Sequence, residues 1–217
     1  MNFIIKEATE EDLPFLVEAI INAERSGTQT LSYEKLFELD EQQVINNLSK
    51  ILAEDITGQE LCISDFLIAW FDEERAAAIC SWIEGEEGSS AILKSNVLMF
   101  GFGKEAFARV LHKAALLEPL NMTREAGALQ LESVYVTNKY RGQGVVNLLI
   151  LAHINKQQSR KRRLKKVQII LAKDNENALK AYIKAGFATV LEKYQTNAEV
   201  LKYLPTQTKI LMEKSIS

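Results

Sequence analysis

The segment L-Q-L-E-S-V-Y-V, from Leu129 to Val136, runs straight into T-N-K-Y-R-G-Q-G and then into an apolar stretch with helical spacing. A strand, a loop with two glycines and a helix thus follow one another without a break. The helix, from Gly144 to about Ser159, carries Val145, Leu148, Leu149 and Ala152 on one face. Val167 to Ala172 then reads as a β-branched strand, and Asn175 to Ala185 as a helix closed by Gly186 in the C′ position. Strands that alternate with helices stack as layers around a shared core, so this segment sets the class as α/β.

The rest of the chain is compatible with that class. Phe3 to Glu7 is a short apolar run, and Thr9-Glu10-Glu11-Asp12 after it is rich in helix-start residues. A helix is expected from Leu13 to Glu24, broken by Ser26-Gly27-Thr28, and a second from Asp40 to about Asp55. Phe66 to Phe71 and Ala76 to Ile83 read as a hairpin turned by Asp72-Glu73-Glu74-Arg75. Ser89 to Met122 shows little pattern beyond a helix around Lys104 to Leu117, ended by Pro119. Phe187 to Tyr194 and Thr208 to Glu213 complete a mixed sheet. With no repeat or linker visible, residues 1–217 are expected to form a single domain carrying an insertion at about 89–122.

Composition narrows the function classes. A chain of 217 residues, 47% of them hydrophobic, can bury a core without disulfides or a structural metal. Twenty-six basic against twenty-nine acidic side chains give a net charge of -3, which argues against a bulk nucleic-acid binder. Cys62 and Cys80 form no C-x-x-C, and His112 and His153 are isolated. A zinc site needs about four ligands at motif spacing, so no metal is expected. The cysteines fit buried thiols in a reducing compartment. The start M-N-F-I-I-K-E-A-T-E-E-D meets charges too early for a signal peptide, and no apolar run reaches the length of a membrane span. A cytoplasmic protein without membrane contact is expected.

The chemistry is concentrated between Leu129 and Phe187. A glycine-bearing loop that opens a helix offers unpaired backbone N–H groups, and the helix dipole adds partial positive charge, which suits a phosphate or pyrophosphate. Gly142 and Gly144 let the backbone curl and approach the ligand without a Cβ in the way. Used alone, such a loop is also an ordinary strand-to-helix turn. The second element is N175-E-N-A178-L-K-A-Y182-I-K-A-G186-F187. On a helix, Asn175 and Tyr182 share a face about 10.5 Å apart, with the small Ala178 between them. Taken singly, Tyr182 also fits a core aromatic, and Asn175 an ordinary N-cap.

Together these elements resemble the GNAT superfamily of acyl-CoA-dependent N-acyltransferases. Its loop, [QR]-x-x-G-x-[GA], is matched by Arg141 and Gly144, with Val146 in place of the last Gly or Ala. Its following helix, N-x-x-A-x-x-x-Y-x-x-x-G-F, is matched by Asn175, Ala178, Tyr182, Gly186 and Phe187. The resemblance implies a mixed, mostly antiparallel, splayed β-sheet flanked by helices, with acetyl-CoA as cosubstrate and an amine as acceptor. It assigns the free backbone groups of Val134 and Val136 to the pantetheine arm, with the Val134 N–H on the thioester carbonyl. It assigns the amides of Gly142, Gln143, Gly144, Val145, Val146 and Asn147 to the pyrophosphate, Asn175 to the pantetheine and Tyr182 to protonation of the departing thiolate. Val146 departs from the pattern and sets a branched side chain beside the loop–helix junction.

The amine has to lose a proton before it attacks. Glu132, nine residues before Arg141, occupies a position where some members similar to polyamine acetyltransferases carry a carboxylate. Strand alternation puts it on the face of Val134 and Val136. The competing assignment is a solvent-facing strand residue. Glu84, Glu86 and Glu87 are secondary candidates, or simply a solvated turn. The run Arg160-Lys161-Arg162-Arg163, with Lys165 and Lys166, fits a solvated helix end, since no aromatics are interleaved for base stacking. No G-x-S-x-G is present to make His112 or His153 part of a hydrolase triad. The expectation is an acetyl-CoA-dependent N-acetyltransferase working by direct attack in a ternary complex, because no cysteine lies in the motifs to carry an acyl group. The alternative is a non-catalytic acyl-CoA-binding regulatory module, to which Val146 points. A homodimer is left open.

Overall fold

The computed structural model describes residues 2–160 and 163–216. Seven strands form one sheet: β1 (Ile4–Glu7), β2 (Phe66–Phe71), β3 (Glu74–Ile83), β4 (Leu129–Val136), β5 (Lys166–Ala172), β6 (Ala188–Tyr194) and β7 (Thr208–Ser215). Their spatial order is β1-β2-β3-β4-β5-β7-β6. Only β4 and β5 are parallel; every other neighbouring pair is antiparallel. The described helices are α1 (Leu13–Arg25), α2 (Ser32–Phe37), α3 (Glu41–Ala53), α4 (Ser90–Phe102), α5 (Lys104–His112), α6 (Ala114–Leu117), α7 (Val145–Ser159) and α8 (Glu176–Lys184). This is the mixed, mostly antiparallel α/β architecture that the sequence implies.

The sheet has helices on both faces. Leu16 and Ile20 of α1, Val44 and Leu48 of α3 and Phe102 of α4 pack on Phe66, Ile68, Ala78 and Cys80. On the opposite face, Leu149 and Ile154 of α7 and Tyr182 of α8 pack on Leu67, Ile79, Leu131, Ile169 and Met212. Both faces of β2 are therefore covered, which is why F-L-I-A-W-F is apolar at every position. Local signals set the helix ends. Asp40 accepts from the Gln43 N–H at 2.8 Å while Gln43 accepts from the Asp40 N–H at 3.0 Å, a reciprocal cap that starts α3. α1 stops where Ser26 turns to φ 49° and Gly27 to φ 83°.

Three expectations need correction. The β2–β3 turn is only Asp72-Glu73, with Asp72 at φ 53°, while Glu74 and Arg75 already pair with Phe71 and Trp70. Asp is one of the few residues that tolerates such a φ, which makes the tighter turn affordable. α2 was not expected, because six residues are too few to show a helical period. Nor was α4: S-A-I-L-K-S-N-V-L-M-F-G-F is apolar around the whole helix, with Val97, Leu98 and Phe102 buried and Ile92 and Phe100 exposed. Gly101 lets α4 lie directly against α3, since a Cβ there would stand 2.2 Å from Ile51 Cγ1.

Candidate functional site

β4 is tied to β5 only through Leu129, Gln130 and Leu131, which pair with Val167, Gln168 and Ile169. Both strands continue past this point, β4 to Val136 and β5 to Ala172, without pairing each other among the described residues. A wedge therefore opens in the sheet. The Thr137 N–H donates to Ala76 O, on the β3 side, at 3.0 Å. Amides of successive strand residues point to opposite edges, so those of Val136 and Val134 face the wedge. Val136 offers only its N–H there, because its carbonyl accepts from Arg141 Nε at 3.2 Å.

Below the wedge lies the glycine loop. Gly142 at φ 75° and Gly144 at φ 77° turn the chain into α7, and a Cβ at either would meet nothing within 4 Å. The amides of Gly142, Gln143, Gly144, Val145 and Val146 donate to no acceptor among the described residues. The Asn147 amide does, reaching Gly144 O at 3.1 Å, so five unpaired amides remain of the six expected. With the helix dipole behind them they form an anion cradle. The loop is anchored by Tyr140, which is buried against Phe3 and Phe71 at ring distances of 5.8 and 5.7 Å and donates to Glu74 at 2.6 Å. Val146 is half-buried and packs against the apolar cluster beneath α7. These groups fit the pyrophosphate and extended arm of an acyl-CoA.

α8 lies beside the wedge. Asn175 Oδ1 caps the helix, accepting from the Ala178 N–H at 3.2 Å, which leaves the side-chain NH2 to donate elsewhere. The Tyr182 ring is buried against Phe187 at 5.9 Å, so it does pack as a core aromatic. Its hydroxyl makes no hydrogen bond among the described residues. Burial, with the Glu132 charge adding to it, raises the phenol well above its ordinary pKa, so it stays protonated and able to donate.

Glu132 differs from expectation. Ser133 adopts φ 52°, and Ser133 and Val134 together stand opposite Ile79, between the pairs Cys80–Glu132 and Ala78–Tyr135. This β-bulge resets the alternation. Val134 and Val136 face α7 with Leu129 and Leu131, whereas Glu132 faces the α1 side with Cys80 and Tyr135. Nor is Glu132 an open, solvent-facing residue: it is bonded to the Arg124 guanidinium, which also donates to Gln130 at 2.9 Å and stacks on Trp82. Burial pushes its carboxyl up, against the opposing pull of Arg124. Around it on the same side lie Glu60, paired with Lys94 at 2.5 Å, and the half-buried Glu24 and Lys209. Arg124, Glu60, Lys94, Glu24 and Lys209 carry no sequence motif. They come from α1, α4, β7 and two connecting segments, and only the tertiary fold brings them together.

Of the secondary candidates, Glu84 is committed to structure: it accepts from Trp82 Nε1 at 3.1 Å and from Ser90 at the start of α4. Glu86 and Glu87 are exposed in the turn that follows β3. In the basic run, Lys166 is bonded to Glu125 and Glu213, and Lys161 and Arg162 lie outside the described residues. His153 is fully buried. Its Nε2 donates to Ile79 O at 2.9 Å, so Nδ1 accepts from the Ser81 hydroxyl at 2.6 Å. Burial drives its pKa down to about 3, and this pair is a neutral clamp between α7 and β3. Among the described residues no cluster of His, Cys, Asp and Glu could hold a metal, and no helix is long and apolar enough to cross a membrane.

Comparison with known proteins bears on the family and the fold. The family described as "Acetyltransferase (GNAT) family" matches residues 34–187. No curated protein sequence matches the chain. An N-acetyltransferase from Staphylococcus aureus Mu50 is similar over 97% of this chain and 99% of its own, at 15% identity and a TM-score of 0.68. A ribosomal-protein-alanine N-acetyltransferase from Brucella melitensis is similar over 98% and 99%, at 16% identity and a TM-score of 0.53. At these identities the likeness is one of fold.

Proposed function

We propose, from the premise that this chain belongs to the acetyltransferase (GNAT) family, that it is a cytoplasmic single-domain enzyme that acetylates a primary amine by direct attack in a ternary complex. The observation that carries this is the wedge between β4 and β5, lined by the Val134 and Val136 amides and ending on five unpaired amides at the glycine loop. Acetyl-CoA, when bound, supplies the acetyl group as a thioester, at whose carbon the new C–N bond forms and the C–S bond breaks. The amides from Gly142 to Val146 hold the pyrophosphate, and the Asn175 NH2 donates to the arm. The Val134 N–H polarises the thioester carbonyl, where negative charge develops. Glu132 takes the amine's proton through water, and Tyr182 gives one to the leaving sulfur. Tyr182 and Glu132 favour catalysis over the non-catalytic binding module to which Val146 points.

A thermal melt with acetyl-CoA tests the donor half. A ligand at a hundred times its Kd stabilises the native state by about 2.7 kcal/mol, roughly 5–10 °C for a chain this size. Gly144→Asp puts a side chain and a negative charge at a φ of 77° and abolishes that shift. CoA release measured over an amine panel tests the transfer. An unchanged melting temperature in saturating acetyl-CoA overturns the proposal.

A further inference from the structure

Lys193 and Lys209 stand directly opposite each other on β6 and β7. Like charges in that position repel, and a sheet normally avoids or neutralises them. Here neither lysine bonds a carboxylate or any other hydrogen-bond partner among the described residues, and both are half-buried. Their face follows from the register. Lys209 pairs with Ala172, which shares a face of β5 with Gln168, and Gln168 accepts from Gln130 at 2.8 Å, beside Glu132 and Arg124. The two lysines therefore lie on the Glu132 side of the sheet, at the end where β5 has parted from β4.

The charges around them are already matched in pairs, Glu60 with Lys94 and Glu132 with Arg124. What is left unpaired is a cationic couple, Lys193 and Lys209, and one carboxylate, Glu24 at the end of α1, whose charge Lys209 feels. Burial lowers the Lys209 pKa against the opposing pull of Glu24, Glu132 and Glu60, so its charge is incompletely solvated. A separated positive and negative site is complementary to a molecule that carries both charges.

We propose that the acceptor is a small amine that also bears an anionic group, a carboxylate or a phosphate ester. Lys209 and Lys193 bind the anion, Glu24 receives the ammonium, and the nitrogen is delivered toward the wedge beside Glu132. This rests on the acetyl-transfer function proposed above and specifies its substrate class.

The test compares matched acceptors by CoA release: an α-amino acid against its decarboxylated amine, and an amino alcohol against its phosphate ester. In the parent protein the anionic member of at least one pair has the higher kcat/KM, and the pair that shows it identifies carboxylate or phosphate. Lys209→Gln raises KM for that member about 10- to 100-fold, the size of a lost charge-assisted hydrogen bond, and the preference collapses. Lys193→Gln raises that KM by a smaller factor. Lys173→Gln, at a lysine already bonded to Glu192 at 2.8 Å, keeps the preference. An acetyl-CoA-induced melting shift in each variant shows that it is folded. Turnover with no preference for the anionic member, or a preference that survives in Lys209→Gln, overturns this inference and leaves acetyl transfer standing. Absence of turnover with every amine overturns acetyl transfer, and this inference with it.

Discussion

Replacing Tyr182 by Phe isolates a single hydroxyl. The ring is buried and packs on Phe187 at 5.9 Å, and Phe keeps that contact. The hydroxyl makes no hydrogen bond among the described residues, so its removal leaves no partner stranded. The ~1–3 kcal/mol penalty for an orphaned buried group therefore does not arise, and the melting temperature should stay within about 2 °C of the parent. The effect on turnover is of another order. General acid catalysis contributes roughly 10²–10⁴-fold, and thiolate is already a fair leaving group, so the lower part of that range applies. We expect kcat to fall at least tenfold, or about 1.4 kcal/mol, with acetyl-CoA affinity unchanged. Burial and the Glu132 charge raise the phenol pKa, so the parent keeps its acid protonated through the neutral and mildly alkaline range. The assay is kcat on the best acceptor, with single-turnover measurements to establish that chemistry limits the rate. A parental kcat under that condition refutes the acid role and leaves Tyr182 as a packing residue only.

Glu132→Gln should lower turnover most at low pH and less as pH rises, because more of the amine then arrives deprotonated; a flat ratio of variant to parent across the pH range counts against a base. Gly101→Ala gains about 1 kcal/mol of helix propensity but sets a Cβ 2.2 Å from Ile51 Cγ1, so a net loss of about 1–2 kcal/mol should appear in chemical denaturation, an increment that should vanish when Gly101→Ala is added to Ile51→Ala. Asp65 has its carboxyl raised from 3.8 to about 6 by burial. For a group raised in this way, stability is greatest below the unfolded-state value and is lost as pH climbs through about 6. Asp65→Asn, which can still accept from the Gly58 N–H, should therefore gain about 2 kcal/mol over the parent at pH 8 and little at pH 4 in parallel denaturation curves.

What the sequence made legible depended on how local the determinant was. The glycine loop, the Asn175 cap and Tyr182 belong to short motifs whose geometry their own residues impose, and the structure has them where the motifs imply. The parting of β4 from β5 is also what the family resemblance implies. The face of Glu132 did not, because strict alternation was assumed and Ser133 carries no signal that it takes φ 52°. The partner of Glu132 was equally hidden, since Arg124 sits in the irregular segment before β4. α4 escaped because a helix without a polar face has no period to detect. Lys193 and Lys209 are sixteen residues apart and become neighbours only through the β6–β7 register.

Three residue pairs, Leu129 with Val167 through Leu131 with Ile169, form the whole seam between the first four strands and the last three among the described residues. Every other ladder except the short β1–β2 edge has six or seven residue pairs, so this junction is the weakest interior line across the sheet. An extended arm hydrogen-bonded in the wedge would supply rungs that the protein lacks. It would act as a removable stretch of sheet, bolting the two halves together for as long as it stays. Occupancy would then be felt well beyond the atoms it touches, as slower amide exchange along both β4 and β5 and a more cooperative unfolding of the halves they belong to.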